Sequence, residues 1–225
     1  CREFRALSSL EHPNVIKMFD LGKCFLLKDT IFFLVMQFLD GIRLDWWIHF
    51  EGGKSADFKV KLNIACMLAD ALRYCHAHKY FDEFGISRQS ILHGDVKPEN
   101  VIIDSNFRPI LYDFLITDLQ RLIDPRLAPR GRFTYGFGTE GYMDDEQASK
   151  GLITDKSDIF AFGKTLEELF KVDDTNSLSG RISVLSKQIS GFIQTMTSSS
   201  AIDRPQSMGE VCEYLNKIRS QDGNS

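Results

Sequence analysis

One stretch of the sequence constrains the rest of the chain more than any other: 93–100, which reads H-G-D-V-K-P-E-N. It places an acid, a cation and an amide within eight residues. Asp95 can accept a proton, Lys97 can offset developing negative charge, and Asn100 offers an oxygen ligand. A carboxylate and a cation close together are often only solvated surface residues, so the surroundings of this stretch decide how it is interpreted.

Two short apolar runs follow this stretch, at 101–103 and 110–112, with a polar turn at 104–106. Two short strands joined by a turn would bring Asn100 and Asp113 together. Two oxygen donors held in this way suit a hard divalent cation such as Mg²⁺, which binds through few carboxylates together with substrate phosphates. A proton acceptor, a phosphate-facing lysine and two metal ligands are the parts needed for phosphoryl transfer.

These residues resemble the protein kinase family, whose catalytic loop reads H-R-D-x-x-x-x-N and whose metal-binding aspartate stands in D-F-G. The matching residues of this chain are His93, Asp95, Asn100, Asp113 and Phe114. The resemblance implies that Asp95 orients a substrate hydroxyl and accepts its proton, and that Lys97 offsets charge on the transferred phosphoryl group. It also implies that Asn100 and Asp113 hold the metal ion.

The N-terminal part of the chain matches the family's upper elements in order. An amphipathic helix pattern over 1–10 carries Glu3 at the place of the helix C glutamate, which in the family pairs with a strand lysine. Strand patterns follow at 15–21 and 31–38. The second resembles the strand that leads into the adenine-binding hinge, although a plain buried strand would use the same residues equally well. The residues implied in ATP binding are Met36 as gatekeeper, Gln37, Phe38 and Leu39 at the hinge, Ile102 under the adenine, and Glu3.

The C-terminal part carries three further motifs of the family. The run 138–146 resembles G-T-x-x-Y-x-A-P-E and contains Thr139. Asp158 stands in a helix pattern resembling S-D-x-W-x-x-G, which implies that it anchors the backbone of the catalytic loop. Arg204 stands in D-R-P, and the resemblance implies that it forms a buried ion pair with Glu146.

The sequence also departs from the family pattern. Gly94 replaces the arginine of H-R-D, Leu115 replaces the glycine of D-F-G, and 144–145 reads Asp-Asp where the family has Ala-Pro. The three strands that precede helix C in the family, with their glycine-rich loop and lysine, are not in the sequence. The start at Cys1 favours a piece of a longer product over a protein that truly lacks these parts, and we expect the chain as it stands to be impaired as an enzyme.

Composition narrows the functional classes. The chain has 225 residues, of which 43% are hydrophobic and 26% charged, as in ordinary globular proteins. A net charge of −4 gives no reason to expect nucleic-acid binding. No apolar run is long enough to suggest a membrane span, and no secretory leader pattern is visible. Five scattered cysteines without a C-x-x-C pair predict reduced thiols and residence in the cytoplasm or nucleus.

The sequence therefore predicts an α+β, protein kinase-like fold with an incomplete small lobe over 1–40, a mainly helical large lobe over 41–219 and a polar tail over 220–225. The small lobe would hold helix C, two strands and the hinge. The predicted function is transfer of the γ-phosphoryl group of ATP to serine or threonine hydroxyls of proteins, with ATP and Mg²⁺ as cofactors. The partners expected are a protein substrate and a regulatory protein, but neither nucleic acid nor membrane.

Two alternatives remain. A pseudokinase, acting as a binding scaffold or allosteric regulator, is favoured by Gly94, by Leu115 and by the missing strands. The intact Asp95, Asn100 and Asp113 oppose it, because a scaffold needs none of the three. A small-molecule kinase of similar fold is disfavoured by the match over 138–146, which resembles a substrate-docking region of protein kinases.

Overall fold

The N-terminal part of the chain forms a short helix and an antiparallel pair of strands. The computed structural model describes residues 2–26, 29–81, 84–114, 138–171 and 180–222. Helix α1 (Arg2–Ser8) precedes strands β1 (Met18–Leu26) and β2 (Asp29–Met36). The strands pair from Met18 opposite Met36 to Leu26 opposite Asp29. Since this sheet has only two strands among the described residues, it leaves an open edge on each side.

Strand β1 starts later than the sequence pattern suggested, at Met18 instead of 15, whereas β2 starts earlier, at Asp29 instead of 31. The late start of β1 has its reason in the rest of the fold. Val15 forms an isolated parallel bridge with Leu111, and the N–H of Ile16 donates to the carbonyl of Leu111 at 2.9 Å. These two apolar residues therefore pair with a distant strand and take no part in the β1–β2 pairing. The bridge ties the N-terminal elements to the part of the chain that carries the 93–100 stretch.

The larger part of the described chain is helical, and the predicted α+β class is confirmed. Its helices are α2 (Leu44–Phe50), α3 (Phe58–Ala77), α4 (Asp145–Lys150), α5 (Asp155–Leu169), α6 (Gly180–Met196) and α7 (Met208–Asp222). None of the helices in the described ranges has the length and hydrophobicity that a bilayer span requires.

A helical core supports the site. Helix α3 packs against α7, and α5 packs against α6. The apolar residues of α3 recur every three or four positions, so they form one buried face. Leu62, Leu72, Phe162 and Leu166 are fully buried in this core. Burying a side chain of this size contributes about 1.5–3 kcal/mol relative to leaving it in water.

A small three-stranded sheet lies beside the helices. Its strands are β3 (Ile42–Arg43), β6 (Val101–Ile103) and β7 (Pro109–Leu111), in the order β3-β6-β7. Strands β6 and β7 pair antiparallel, with Val101 opposite Leu111 and Ile103 opposite Pro109. The turn between them is closed by Asp104, whose carboxylate accepts the backbone N–H groups of Asn106 and Arg108. The predicted strand–turn–strand unit after 93–100 is therefore present.

The segment between α3 and the 93–100 stretch forms a hairpin. Strands β4 (Lys79–Phe81) and β5 (Ser87–Gln89) pair antiparallel, and Phe81 is 70% exposed. At the other end of the chain, α7 continues to Asp222, so the first residues of the expected tail at 220–225 are helical.

The ion pair near α4 is the clearest correction to the sequence analysis. We expected Glu146 to pair with Arg204. Instead, Arg204 Nη1 lies 2.6 Å from Asp144 Oδ2, with both side chains almost fully buried. Glu146 points to the surface and contacts Lys150 at 3.1 Å.

The position of Asp144 explains this exchange of partners. Asp144 is the N-cap of α4, so its Oδ1 accepts the N–H of Gln147 while its Oδ2 remains free to meet Arg204. Glu146 lies inside the first turn of the helix, one turn before Lys150, which favours the surface pair. Arg204 also donates to the carbonyls of Lys156 and Ser198, at 3.1 and 2.8 Å.

We predict that Arg204→Ala lowers the free energy of unfolding by about 3–5 kcal/mol, because the Asp144 carboxylate would be left buried without its partner. Urea unfolding followed by circular dichroism measures this change. Glu146→Gln serves as the control, and its effect should stay below about 1 kcal/mol, as for other surface pairs. Equal losses in the two variants would contradict the assignment of Asp144 as the partner.

Candidate active site

A buried carboxylate on α5 organises the loop that contains the 93–100 stretch. Asp158 is 1% exposed, and its Oδ1 accepts the N–H of Gly94 at 2.8 Å. Its Oδ2 accepts the N–H of His93 at 2.9 Å and contacts His76 Nε2 at 2.7 Å. Burial alone would raise the pKa of this carboxyl, but the hydrogen bond and charge of His76 and the hydrogen bond from the backbone N–H of His93 outweigh burial and leave the pKa lowered.

The ring of His93 links this loop to the end of β7. Its Nε2 donates to the carbonyl of Tyr112 at 3.0 Å, and its Nδ1 accepts the N–H of Asp95 at 3.3 Å. One nitrogen donates and the other accepts, so the ring is neutral in this arrangement. Complete burial lowers the pKa of His93, which favours the same neutral form. The ring of Phe114, also buried, lies 4.4 Å from that of His93.

The Asp95 carboxylate is held at one oxygen and unpaired at the other. Its Oδ2 lies 2.7 Å from Lys97 Nζ, which also donates to Thr139 Oγ1 at 2.5 Å. Burial tends to raise the pKa of Asp95, but the hydrogen bond and charge of Lys97 outweigh it, so the pKa is lowered. Its Oδ1 is buried and has no hydrogen-bond partner among the described residues. The arrangement is an ionised carboxylate with one oxygen ready to accept a hydrogen bond.

Asn100 lies against the same carboxylate and at the end of the β6–β7 hairpin. Its Nδ2 donates to the backbone carbonyl of Asp95 at 2.9 Å and to Oδ2 at 3.1 Å. Its own carbonyl accepts the N–H of Tyr112 at 3.0 Å, which extends the hairpin by one pair. Asp113 follows directly, with an exposed side chain and a positive φ of 61°. The pairing therefore brings Asn100 and Asp113 to the same end of the hairpin.

The residues at this end fit a magnesium ion in their chemistry. The amide nitrogen of Asn100 is engaged by Asp95, which leaves its oxygen for a cation, and Asp113 adds an exposed carboxylate. The described residues contain no cluster of three or more His, Cys, Asp or Glu side chains that could hold a metal. Two oxygen ligands from the protein suit Mg²⁺, which keeps waters and takes substrate phosphate oxygens as further ligands.

The residues predicted to contact ATP at the hinge lie at the end of β2 and just after it. Met36 is 40% exposed and Phe38 is 88% exposed, while Leu39 is half-buried against the core. The N–H of Gln37 donates to the carbonyl of Lys17 at 2.9 Å, so this donor is already used. The carbonyl of Gln37 and the backbone groups of the next two residues remain the candidates for adenine.

Ile102 lies next to the exit of this segment. A Cβ on Gly41 would come within 2.8 Å of Ile102 Cγ2 and 2.3 Å of the carbonyl oxygen of Ile103. The chain after the hinge can therefore pass directly over β6 only because residue 41 has no side chain. The half-buried Ile102 therefore lies against Gly41, two residues after the hinge, and its role under the adenine stays a prediction.

Some of the predicted residues fall outside what the structure describes. Glu3 belongs to α1, but its side chain is outside the described part. Leu115 and the rest of 115–137 are outside it as well.

The structure adds two residues to the site that the sequence analysis did not assign to it. His76, at the end of α3, contacts the carboxylate of Asp158 through its ring. Helical periodicity alone does not reveal this contact. Gln147 donates from Nε2 to the carbonyl of Gly94 at 2.8 Å and is 2% exposed. Neither contact joins neighbours in the sequence, so no local pattern could have identified them.

Comparison with known proteins agrees with this geometry. Residues 1–219 match the sequence profile of the protein kinase domain. The chain is 32% identical over 181 residues to the serine/threonine-protein kinase PrkC of Bacillus subtilis, covering 80% of this chain and 23% of that protein. It is 31% identical over 182 residues to Protein LYK5 of Arabidopsis thaliana, covering 81% of this chain and 24% of that protein. It is 33% identical over 174 residues to Phytosulfokine receptor 1 of the same plant, covering 75% of this chain and 16% of that protein. The chain thus spans about a quarter of these relatives' length or less.

We predict that Asp158→Asn lowers the free energy of unfolding at neutral pH by about 3 kcal/mol, since charged hydrogen bonds to the buried carboxylate are lost. The folded pKa of Asp158 lies below its usual 3.8, so its contribution is complete above about pH 4 and disappears as the pH falls through the lowered pKa. The difference between wild type and variant should therefore shrink below about pH 4 in urea unfolding.

The control for this prediction is Asp203→Asn, which makes the same chemical change at an exposed position. It should alter stability by less than about 0.5 kcal/mol. A difference between wild type and Asp158→Asn that stays constant down to low pH would show that the charge of Asp158 is not what stabilises the loop.

Proposed function

Because the chain belongs to the protein kinase family, we propose that it transfers the γ-phosphoryl group of ATP to serine or threonine hydroxyls of protein substrates. The observation that carries this proposal is the state of Asp95. Its carboxylate is held by Lys97 and Asn100 at Oδ2, while Oδ1 is buried and has no hydrogen-bond partner within the described part of the chain. A buried acceptor costs free energy unless something bonds to it, and a substrate hydroxyl would supply that bond.

Asp95 acts in this proposal by orienting the hydroxyl. The substrate O–H donates to Oδ1, which aims the hydroxyl oxygen at the phosphorus atom. Proton transfer to the carboxylate follows late, as the bond to phosphorus forms. The lowered pKa keeps Asp95 ionised at neutral pH, so it is available as an acceptor throughout.

Lys97 supplies positive charge at the same place. Its ammonium group bridges Asp95 and Thr139, so its position is defined from two sides. A cation held there offsets the negative charge that spreads over the transferred phosphoryl oxygens. The ammonium group of Lys97 is already in place before the reaction begins. Such preorganised charge is the main source of electrostatic catalysis in sites of this kind.

Asn100 and Asp113 would hold Mg²⁺, and the hinge residues 36–39 with Ile102 would hold the adenine. When bound, Mg²⁺ would supply positive charge that offsets part of the charge of the substrate phosphates. The contribution of this chain is to hold the two oxygen ligands at one end of a paired hairpin, beside Asp95.

The preference for serine or threonine hydroxyls rests on two supports. One is the contact between Lys97 and Thr139, which joins the catalytic loop to the segment resembling the family's substrate-docking region. The other is the bacterial relative PrkC, which is a serine/threonine-protein kinase. We also propose a cytoplasmic location, in keeping with free thiols at the described cysteines 24, 66, 75 and 212.

We predict that Asp95→Asn lowers kcat for phosphate transfer by about 10²–10⁴, because the proton acceptor is lost. Its dissociation constant for ATP should change less than about threefold, since Asp95 does not contact the nucleotide base. Transfer of radiolabelled γ-phosphate to a mixed peptide library is measured under single-turnover conditions, so that a slow transfer step is also detected. Asp203→Asn is the matched control.

The outcomes separate the alternatives. Transfer in wild type that is lost in Asp95→Asn supports the proposal. Binding of Mg-ATP without any transfer would instead favour the scaffold function. Transfer to small-molecule hydroxyls but not to peptides would favour a small-molecule kinase.

A further inference from the structure

We propose that Gln147 is a positioning residue of the catalytic loop. By bonding to the carbonyl of Gly94, Gln147 holds Asp95 in place. This inference rests on the proposed kinase function, and it assigns to α4 a direct part in shaping the site. The contact is the hydrogen bond from Gln147 Nε2 to the Gly94 oxygen, at 2.8 Å and buried.

The position of Gly94 depends on contacts to its backbone, because it has no side chain that could be held. Its backbone takes a positive φ of 78°, which few other residues adopt without strain. Its N–H is bound by Asp158 from α5, and its carbonyl is bound by Gln147 from α4. The Gly94 carbonyl belongs to the planar peptide group that leads into Asp95, so fixing this oxygen fixes the start of Asp95.

Gln147 is itself firmly placed. Its N–H donates to Asp144 Oδ1 at 2.8 Å, and its carbonyl accepts the N–H of Gly151 at 2.9 Å. Asp144 is in turn held by Arg204 in the buried ion pair. The side-chain amide therefore extends from a rigid base, which is what a positioning group needs.

The side-chain amide of Gln147 occupies space that a side chain at Gly138 would take. A Cβ on Gly138 would lie 2.6 Å from Gln147 Nε2 and 2.8 Å from Met143 Cγ. The next residue, Thr139, bonds to Lys97. Gln147 thus lies between the end of the segment before α4 and the catalytic loop, and contacts both without any charged group of its own.

A consequence for regulation follows from the chemistry of this contact. In the family pattern an arginine precedes the catalytic aspartate and receives a phosphate, whereas this chain has Gly94 there. A neutral amide bonds a carbonyl whether or not any residue is phosphorylated. The loop can therefore be held in its working position by Gln147 without a phosphate.

The first test is Gln147→Met, which keeps the length of the side chain and removes its donor. We expect kcat to fall about tenfold, the effect of losing one buried hydrogen bond. KM for ATP should change by less than about twofold, because the hinge is untouched. Hydrogen-exchange mass spectrometry of the 225-residue chain should show faster exchange over 92–97 and unchanged exchange in α7.

The second test is Gln147→Glu, which is nearly isosteric and places an acceptor against the Gly94 carbonyl. The rate relative to wild type should be low at neutral pH and recover as the pH falls, because the protonated carboxyl regains a donor. Gln188→Glu, the same change at an exposed position on α6, is the matched control and should show a flat ratio. A purely structural role for Gln147 would not produce this pH profile.

Each result decides something. Wild-type kcat and wild-type exchange over 92–97 in Gln147→Met would overturn the inference while leaving the kinase function intact. If the wild-type chain transfers no phosphate, the function fails, and exchange over 92–97 alone then decides the role of Gln147. If Gln147→Met does not fold, the ratio of exchange over 92–97 between Gln147→Glu and wild type is measured against pH instead, and a flat ratio would overturn the inference.

Discussion

The site depends first on the buried carboxylate of Asp158. Its two oxygens receive the N–H groups of His93 and Gly94 and the ring of His76, so one side chain joins α3, α5 and the catalytic loop. A buried charge is tolerated only when it is bonded in this way, since an unpaired one would cost several kcal/mol. Removing it would release the loop backbone and, with it, Asp95.

The loop also carries backbone strain, which these contacts must hold. Ser90 and Asp113 have positive φ values of 75° and 61°, at the entrance to the loop and after it. Residues other than glycine in such conformations cost on the order of 1–3 kcal/mol each. The strain is offset by neighbouring bonds, such as the N–H of Ser90 to the carbonyl of His78 at 3.0 Å. Asp113 is itself one of the residues proposed to hold the metal ion, and Ser90 lies three residues before His93, so both strained positions are at or near the proposed site, where such strain is usually found.

The ion pair of Arg204 shows where pattern matching reaches its limit. The motif order correctly predicted that the segment 138–146 would meet Arg204, but Asp144 and not Glu146 is the partner. The choice depends on which carboxylate precedes the first helical residue and can face inward. The same helix start places Gln147 toward Gly94, a contact that no spacing in the sequence indicated.

The sequence by itself indicated a mainly helical large lobe, the strand–turn–strand unit after Asn100 and the family, because these follow from periodicity and from motifs read along the chain. It also brought Asp95, Lys97 and Asn100 into one short loop. The resemblance already implied Asp158 as an anchor of that loop, but only the tertiary structure decided which other distant groups hold it: His76 and Gln147 lie on two further helices. Contacts between residues far apart in the sequence depend on how helices pack and where each one begins, and a local pattern carries neither piece of information.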